Sequence, residues 1–126
     1  MEVELACKQE CFRVMGAAME VHSRLGPGFQ EAVYQQALEH ELALQGIPFT
    51  AQKELHVEYK GRVLEATFLA DVVCYDRVLM ELKALKTLGP LEEAQILNYL
   101  AVSKLEVGLL VNFGSRGRLE WKRFVL

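Results

Sequence analysis

Three ionisable side chains stand where apolar ones are expected. Asp71 lies inside Phe68-Leu69-Ala70-Asp71-Val72-Val73-Cys74, a run with no other charge, and Glu81 and Lys83 follow in Met80-Glu81-Leu82-Lys83-Ala84. Strand alternation puts Glu81 and Lys83 on one face and Met80, Leu82 and Ala84 on the other. It likewise groups Asp71 with Leu69 and Val73, opposite Ala70 and Val72. Burying charge without a partner is costly, so such groups should be paired or bound to a metal. Two carboxylates from adjacent strands, with an ammonium two positions beyond one of them, suit Mg²⁺ or Mn²⁺: hard cations take carboxylate oxygens and keep waters that serve as nucleophiles. The lysine would orient that water or offset charge building on a phosphoryl oxygen. The same three residues would also make a buried structural ion pair, and the pattern alone weighs the two readings evenly. Glu-x-Lys recurs at Glu58/Lys60 and Glu120/Lys122, in segments with several polar positions, where a solvated face accounts for it.

Two helical stripes bear on the choice. Leu91, Gln95 and Asn98 fall along one helix face, and an amide at Gln95 could bond a water or a phosphate; an ordinary polar face is the plainer reading. Glu31, Tyr34, Leu38 and Leu42 share another face through spacings of three and four. A tyrosine there is most often core with a satisfied hydroxyl, whereas Glu31 heading an apolar stripe calls for a reason.

The elements that position these residues can be read from period and punctuation. Helical spacing covers residues 5–25 and stops at Gly26-Pro27-Gly28; a second helix spans about Phe29 to Leu44, closed by Gly46 and Pro48. The period then changes to two. Leu55, Val57 and Tyr59 alternate with charged neighbours, Gly61 turns the chain, and further strands follow over about Arg62 to Cys74 and Val78 to Ala84. Gly89-Pro90 opens a third helix, about Leu91 to Val102, with Glu92 and Glu93 in its favourable first turn. The apolar stretch Leu105 to Phe113 reads as an interior strand and residues 118–126 as a more exposed final one. The expected class is α/β, a mixed sheet flanked by helices in the order α-α-β-β-β-α-β-β. The first three strands suit hairpins, and the helix after the third permits a crossover.

A length of 126 residues points to one domain, and a hydrophobic fraction of 52% excludes a disordered chain. No apolar stretch is long enough to span a bilayer, and the acidic start does not read as a signal peptide. Cys7, Cys11 and Cys74 are odd in number and lack ligand spacing, which suggests small hydrophobes in a reducing, cytoplasmic setting. The formal charge of −3 argues against a tight electrostatic binder of nucleic acid. Its distribution softens that: residues 1–46 hold seven Glu against three Lys/Arg, and the rest hold ten acids against eleven bases.

Taken together, these residues carry a resemblance. Gly28-Phe29-Gln30-Glu31-Ala32-Val33-Tyr34 matches the signature of the GxxExxY family of small prokaryotic proteins, and Asp71, Glu81-Leu82-Lys83 and Gln95 resemble the PD-(D/E)XK nuclease pattern of its superfamily. The resemblance implies a restriction-endonuclease-like core and a nuclease using Mg²⁺ (or Mn²⁺) on DNA or RNA. It implies metal ligands at Asp71 and Glu81, a catalytic Lys83, an auxiliary Gln95 on the helix and an additional carboxylate at Glu31. Tyr34 matches the signature as an accessory position without a settled chemical role. Two departures stand out: Glu92 occupies a place where the family often has histidine, and Ala70 replaces the superfamily's leading proline. The modest basic content implies transient contact with nucleic acid, with a homodimer or a protein partner to aid target choice. The rival reading is a non-catalytic nuclease-fold protein that keeps the polar cluster for folding or assembly.

Overall fold

A computed structural model describes residues 7–126. Its elements are α1 (Lys8–Leu25), α2 (Glu31–Leu44), β1 (Phe49–Tyr59), β2 (Arg62–Cys74), β3 (Val78–Lys83), α3 (Pro90–Ser103), β4 (Val107–Asn112) and β5 (Glu120–Val125). This is the expected order, with helix and strand ends moved by a few residues; the part of the first predicted helix before residue 7 lies outside the described residues. The five strands form one mixed sheet in sequence order, antiparallel except for β3 beside β4. That parallel pair needs a crossover, and α3 supplies it.

Two cores sandwich the sheet. On one face, Val14, Met15, Ala18 and Val21 of α1 and Tyr34, Leu38 and Leu42 of α2 pack against Val72, Met80, Leu82, Leu109 and Val111. On the other, Ile96 and Leu100 of α3 cover Ala70, Val73, Leu79 and Leu110. β3 and β4 are buried between them, which is why β4 reads as an almost wholly apolar run and β3 as one broken only by Glu81 and Lys83. Fully burying one such side chain contributes roughly 1.5–3 kcal/mol.

One expectation of strand phase fails, and it fails at Asp71. Simple alternation would keep Ala70 and Val72 on one face, yet Ala70 joins Val73 on the α3 side while Val72 and Cys74 join the α1–α2 side. The pleat therefore slips by one residue at Asp71. Opposite it in β1, the pairing runs Ala51 to Val72 and Lys53 to Ala70, and Gln52 between them has φ of 50°. β2 also leaves β3 here: their paired residues are Val72–Met80, Val73–Leu79 and Cys74–Val78. Beyond that point β1 and β2 continue as a two-stranded arm.

Candidate active site

Where β2 and β3 part, backbone donors that a ladder would have used must find other partners. Two carboxylates provide them, reciprocally. The Asp71 N–H donates to Glu81 Oε2 at 2.9 Å, and the Leu82 N–H donates to Asp71 Oδ2 at 2.8 Å. The strand split thus brings Asp71 and Glu81 together at its apex. Lys83, at the end of β3, donates from Nζ to Gln95 Oε1 of α3 at 2.8 Å.

Burial sets the electrostatics. Glu81 is only 4% exposed, and desolvation, with the negative charge of Asp71 behind it, pushes its carboxyl up to about 8. The Asp71 N–H and Lys83 only partly offset this, and the charge of Glu31 adds to it. Asp71 is raised in the same sense by burial and by the charge of Glu31, against the Leu82 N–H, Lys83 and a hydrogen bond from the Gln52 side chain. Two neighbouring carboxyl groups that both resist ionisation are a place where a cation would be welcome.

Of the residues singled out from sequence, Asp71, Glu81, Lys83 and Gln95 come together. Glu31, in the first turn of α2, is exposed; it lines a cleft of about 310 Å³ with Gln35, Gln36, Glu39, Gln52, Asp71 and Leu82. Its charge is felt by Asp71 and Glu81, but among the described residues no three His, Cys, Asp or Glu side chains gather as a metal cluster. Tyr34 is fully buried: its hydroxyl donates to the Gly26 carbonyl at 2.5 Å and accepts from the Phe29 N–H at 3.2 Å, and its ring stacks on Phe113 at 4.8 Å. It holds the turn that starts α2. Glu92, at the departure from the family pattern, caps its own helix by accepting from the Gly89 N–H at 2.7 Å.

Other residues are ones the sequence did not flag. Gln35 donates to the Asp71 carbonyl at 2.9 Å and so ties α2 to the split. Tyr99, one turn beyond Gln95, stacks on Phe68 and has its hydroxyl raised by burial and by the charges of Glu81 and Asp71. The site stripe of α3 is therefore Gln95 and Tyr99, while Leu91 and Asn98 are exposed. The spacing i, i+4 from Gln95 was the available signal. Asn112 is fully buried and fastens the segment after Lys83: its Oδ1 accepts from Leu85 N–H and Gly114 N–H, and its Nδ2 donates to the Leu85 carbonyl and to Glu120. Glu120 also accepts from Leu88 N–H and Thr87, so it takes part in the fold, while Lys122 is exposed as a solvated face requires and pairs with Glu93 at the surface. A larger hollow, about 950 Å³ between α1 and β5, is lined by apolar residues including Phe12, Met15, Met19 and Trp121, and contains none of the site residues.

The family model of the PD-(D/E)XK nuclease superfamily matches residues 8–124, and the chain belongs to that superfamily. Among solved structures, the crystal structure of SSO0001 superposes with a TM-score of 0.59 at 19% identity, covering 75% of this chain and 48% of that one. That likeness concerns the fold, which is restriction-endonuclease-like, and this chain spans about half the length of that structure. No curated protein matches the chain.

The donor set suits a hard divalent cation. Its first ligands would be oxygens of Asp71 and Glu81, with no thiol or imidazole lining the cleft among the described residues, and Mg²⁺ ordinarily uses one or two carboxylates and completes its shell with water and phosphate oxygens.

Proposed function

We propose that this protein is a Mg²⁺- or Mn²⁺-dependent phosphodiester hydrolase acting on DNA or RNA, of the GxxExxY kind found in prokaryotes and working in the cytoplasm as one nuclease domain. The observation that carries the reading is the convergence of two resisting carboxyl groups, Asp71 and Glu81, beside the Lys83–Gln95 pair. Asp71 and Glu81 would hold the cation, with Glu31 adding negative charge at the cleft. A cation so placed supplies an activated water and polarises the phosphate. Lys83 orients the attacking water and offsets charge building on the phosphoryl oxygen, and the Gln95 amide keeps its ammonium aimed. Contact with nucleic acid would be brief, and a second copy or a protein partner would help choose the target.

A second reading has its own observation: both carboxylates already satisfy backbone N–H groups, as they would in a cluster retained only for folding. The experiment that separates them is a cleavage panel of single-stranded and duplex DNA, RNA and branched substrates with Mg²⁺ or Mn²⁺, beside calorimetric Mn²⁺ titration. Expected are cleavage of one substrate class, loss of Mn²⁺ binding in Asp71→Ala and Glu81→Ala, and loss of cleavage with binding retained in Lys83→Ala. No cleavage of any substrate together with no Mn²⁺ binding would overturn the nuclease reading and leave the folding role.

A further inference from the structure

Among the described residues, six other than glycine have positive φ: Cys7, Gln52, Lys60, Tyr75, Asp76 and Lys104. Five have a local reason. Cys7 and Lys104 cap helices, and Lys60, Tyr75 and Asp76 lie in the turns that follow β1 and β2. Gln52, at φ 50°, sits inside β1, where neither a turn nor a cap asks for it. The left-handed region is unfavourable for a residue with a Cβ, and glutamine lacks the short side chain that lets Asn or Asp offset the cost locally. Strain of this kind persists where the surroundings impose it, and it gathers at functional sites.

The surroundings here are specific. Gln52 interrupts the β1–β2 pairing opposite Asp71, the residue at which the pleat of β2 slips. It lines the same cleft as Asp71, close enough for its side chain to favour the ionised Asp71 carboxyl group. From the other side of that cleft, Gln35 holds the Asp71 carbonyl. Asp71 is thus held at its carbonyl from α2, at its N–H by Glu81 and at Oδ2 by the Leu82 N–H, with Gln52 of β1 facing it across the cleft. We infer that the left-handed backbone at Gln52 aims its amide at Asp71 and holds that carboxylate in the orientation in which it shares a divalent cation with Glu81. Gln52 is a positioning residue, and its role rests on the metal-binding reading of the site.

Gln52→Ala removes the amide and keeps the strain; Gln52→Gly removes both. In chelator, urea unfolding is expected to place Gln52→Gly at a higher midpoint than Gln52→Ala, the reverse of the usual order inside a strand. In calorimetric Mn²⁺ titration, both variants are expected to bind about tenfold more weakly than wild type or worse, as when an outer partner of a ligand is removed. A merely structural residue would make affinity follow stability, so the more stable Gln52→Gly would bind better than Gln52→Ala. The inference is overturned if either variant binds Mn²⁺ as wild type does, if affinity follows stability, or if Gln52→Ala is the more stable of the two. If wild type itself binds no Mn²⁺, the functional reading fails and this inference with it; wild-type binding with unchanged variants sinks the inference alone.

Discussion

Replacing Glu81 by glutamine should make the metal-free protein more stable at neutral and alkaline pH. In the folded chain Glu81 keeps its proton until about pH 8, against an ordinary 4.5. Between those values the folded state binds more protons than the unfolded state, so stability falls as pH rises. The favourable contribution is whole below the unfolded value and is lost as pH passes through the folded one. At about 1.4 kcal/mol per pKa unit, the full loss is on the order of 5 kcal/mol, with about 3 kcal/mol already gone at pH 7. Glutamine keeps the shape and an oxygen to accept the Asp71 N–H, but its own NH₂ enters a buried site at a cost of about 1 kcal/mol. The net expectation is a gain of about 2 kcal/mol at pH 7, increasing toward pH 9.

Urea unfolding in chelator at pH 5, 7 and 9 reads this directly. Asp71 is raised in the same sense and adds to the wild-type slope, so Glu81→Gln should be shallower in pH rather than flat. Saturating Mn²⁺ should stabilise wild type and leave Glu81→Gln nearly unmoved, because a ligand stabilises only the state that binds it. A variant that parallels wild type across pH, or is less stable at pH 9, would refute the idea that a desolvated carboxyl group at this position opposes folding.

Three further outcomes are expected. Tyr34→Phe should lose about 1–2 kcal/mol in urea unfolding, through its bonds to Gly26 and Phe29, while Mn²⁺ affinity stays at the wild-type value. Gly114→Ala should cost about 3 kcal/mol or prevent folding, because its Cβ would stand 2.3 Å from the Leu85 carbonyl oxygen; circular dichroism against temperature checks it. Replacing the exposed Lys86, Arg116 and Arg118 together by alanine should weaken nucleic-acid binding and flatten its salt dependence, read by fluorescence anisotropy at two ionic strengths.

Most of the scaffold was legible because its signals are local. Gly26-Pro27-Gly28, Gly46, Gly61 and Gly89-Pro90 punctuate the chain, and the change of period from helix to strand survives in single residues such as Leu55 and Val57. The core carboxylates were legible for the opposite reason: Asp71 and Glu81 contradict the apolar runs around them. What could not be read depends on departures from regular strands. Nothing local announces that the pleat slips between Ala70 and Val72, or that Gln52 turns left-handed, because both follow from β2 leaving β3 while staying on β1. Tyr99 reads as one more apolar helix residue until Phe68 and Gln95 are placed beside it. Asn112 reads as the polar end of a strand until Leu85 lies against it.

The net charge of −3 also looks different once its members are placed. Lys86 lies between β3 and α3, and Arg116 and Arg118 lie between β4 and β5. These two connections are fastened together by Asn112 on Leu85, Glu120 on Leu88 and the close approach of Gly114 to Leu85. Both leave the same ends of the parallel pair β3 and β4, the end of β3 that carries Lys83. Three exposed cations therefore lie on connections that leave this end of the parallel pair, Arg118 on the α1 side against Met19, His22 and Ser23, while Glu31 and Glu39 of the acidic stretch 1–46 line the cleft beside Asp71. A phosphate backbone responds to the charge within about a Debye length, roughly 8–10 Å, and not to the sum over the chain. What matters is therefore where each charge stands, and the buried Asn112 clamp, on Leu85 and on Glu120, is what fixes the two connections that carry these three cations.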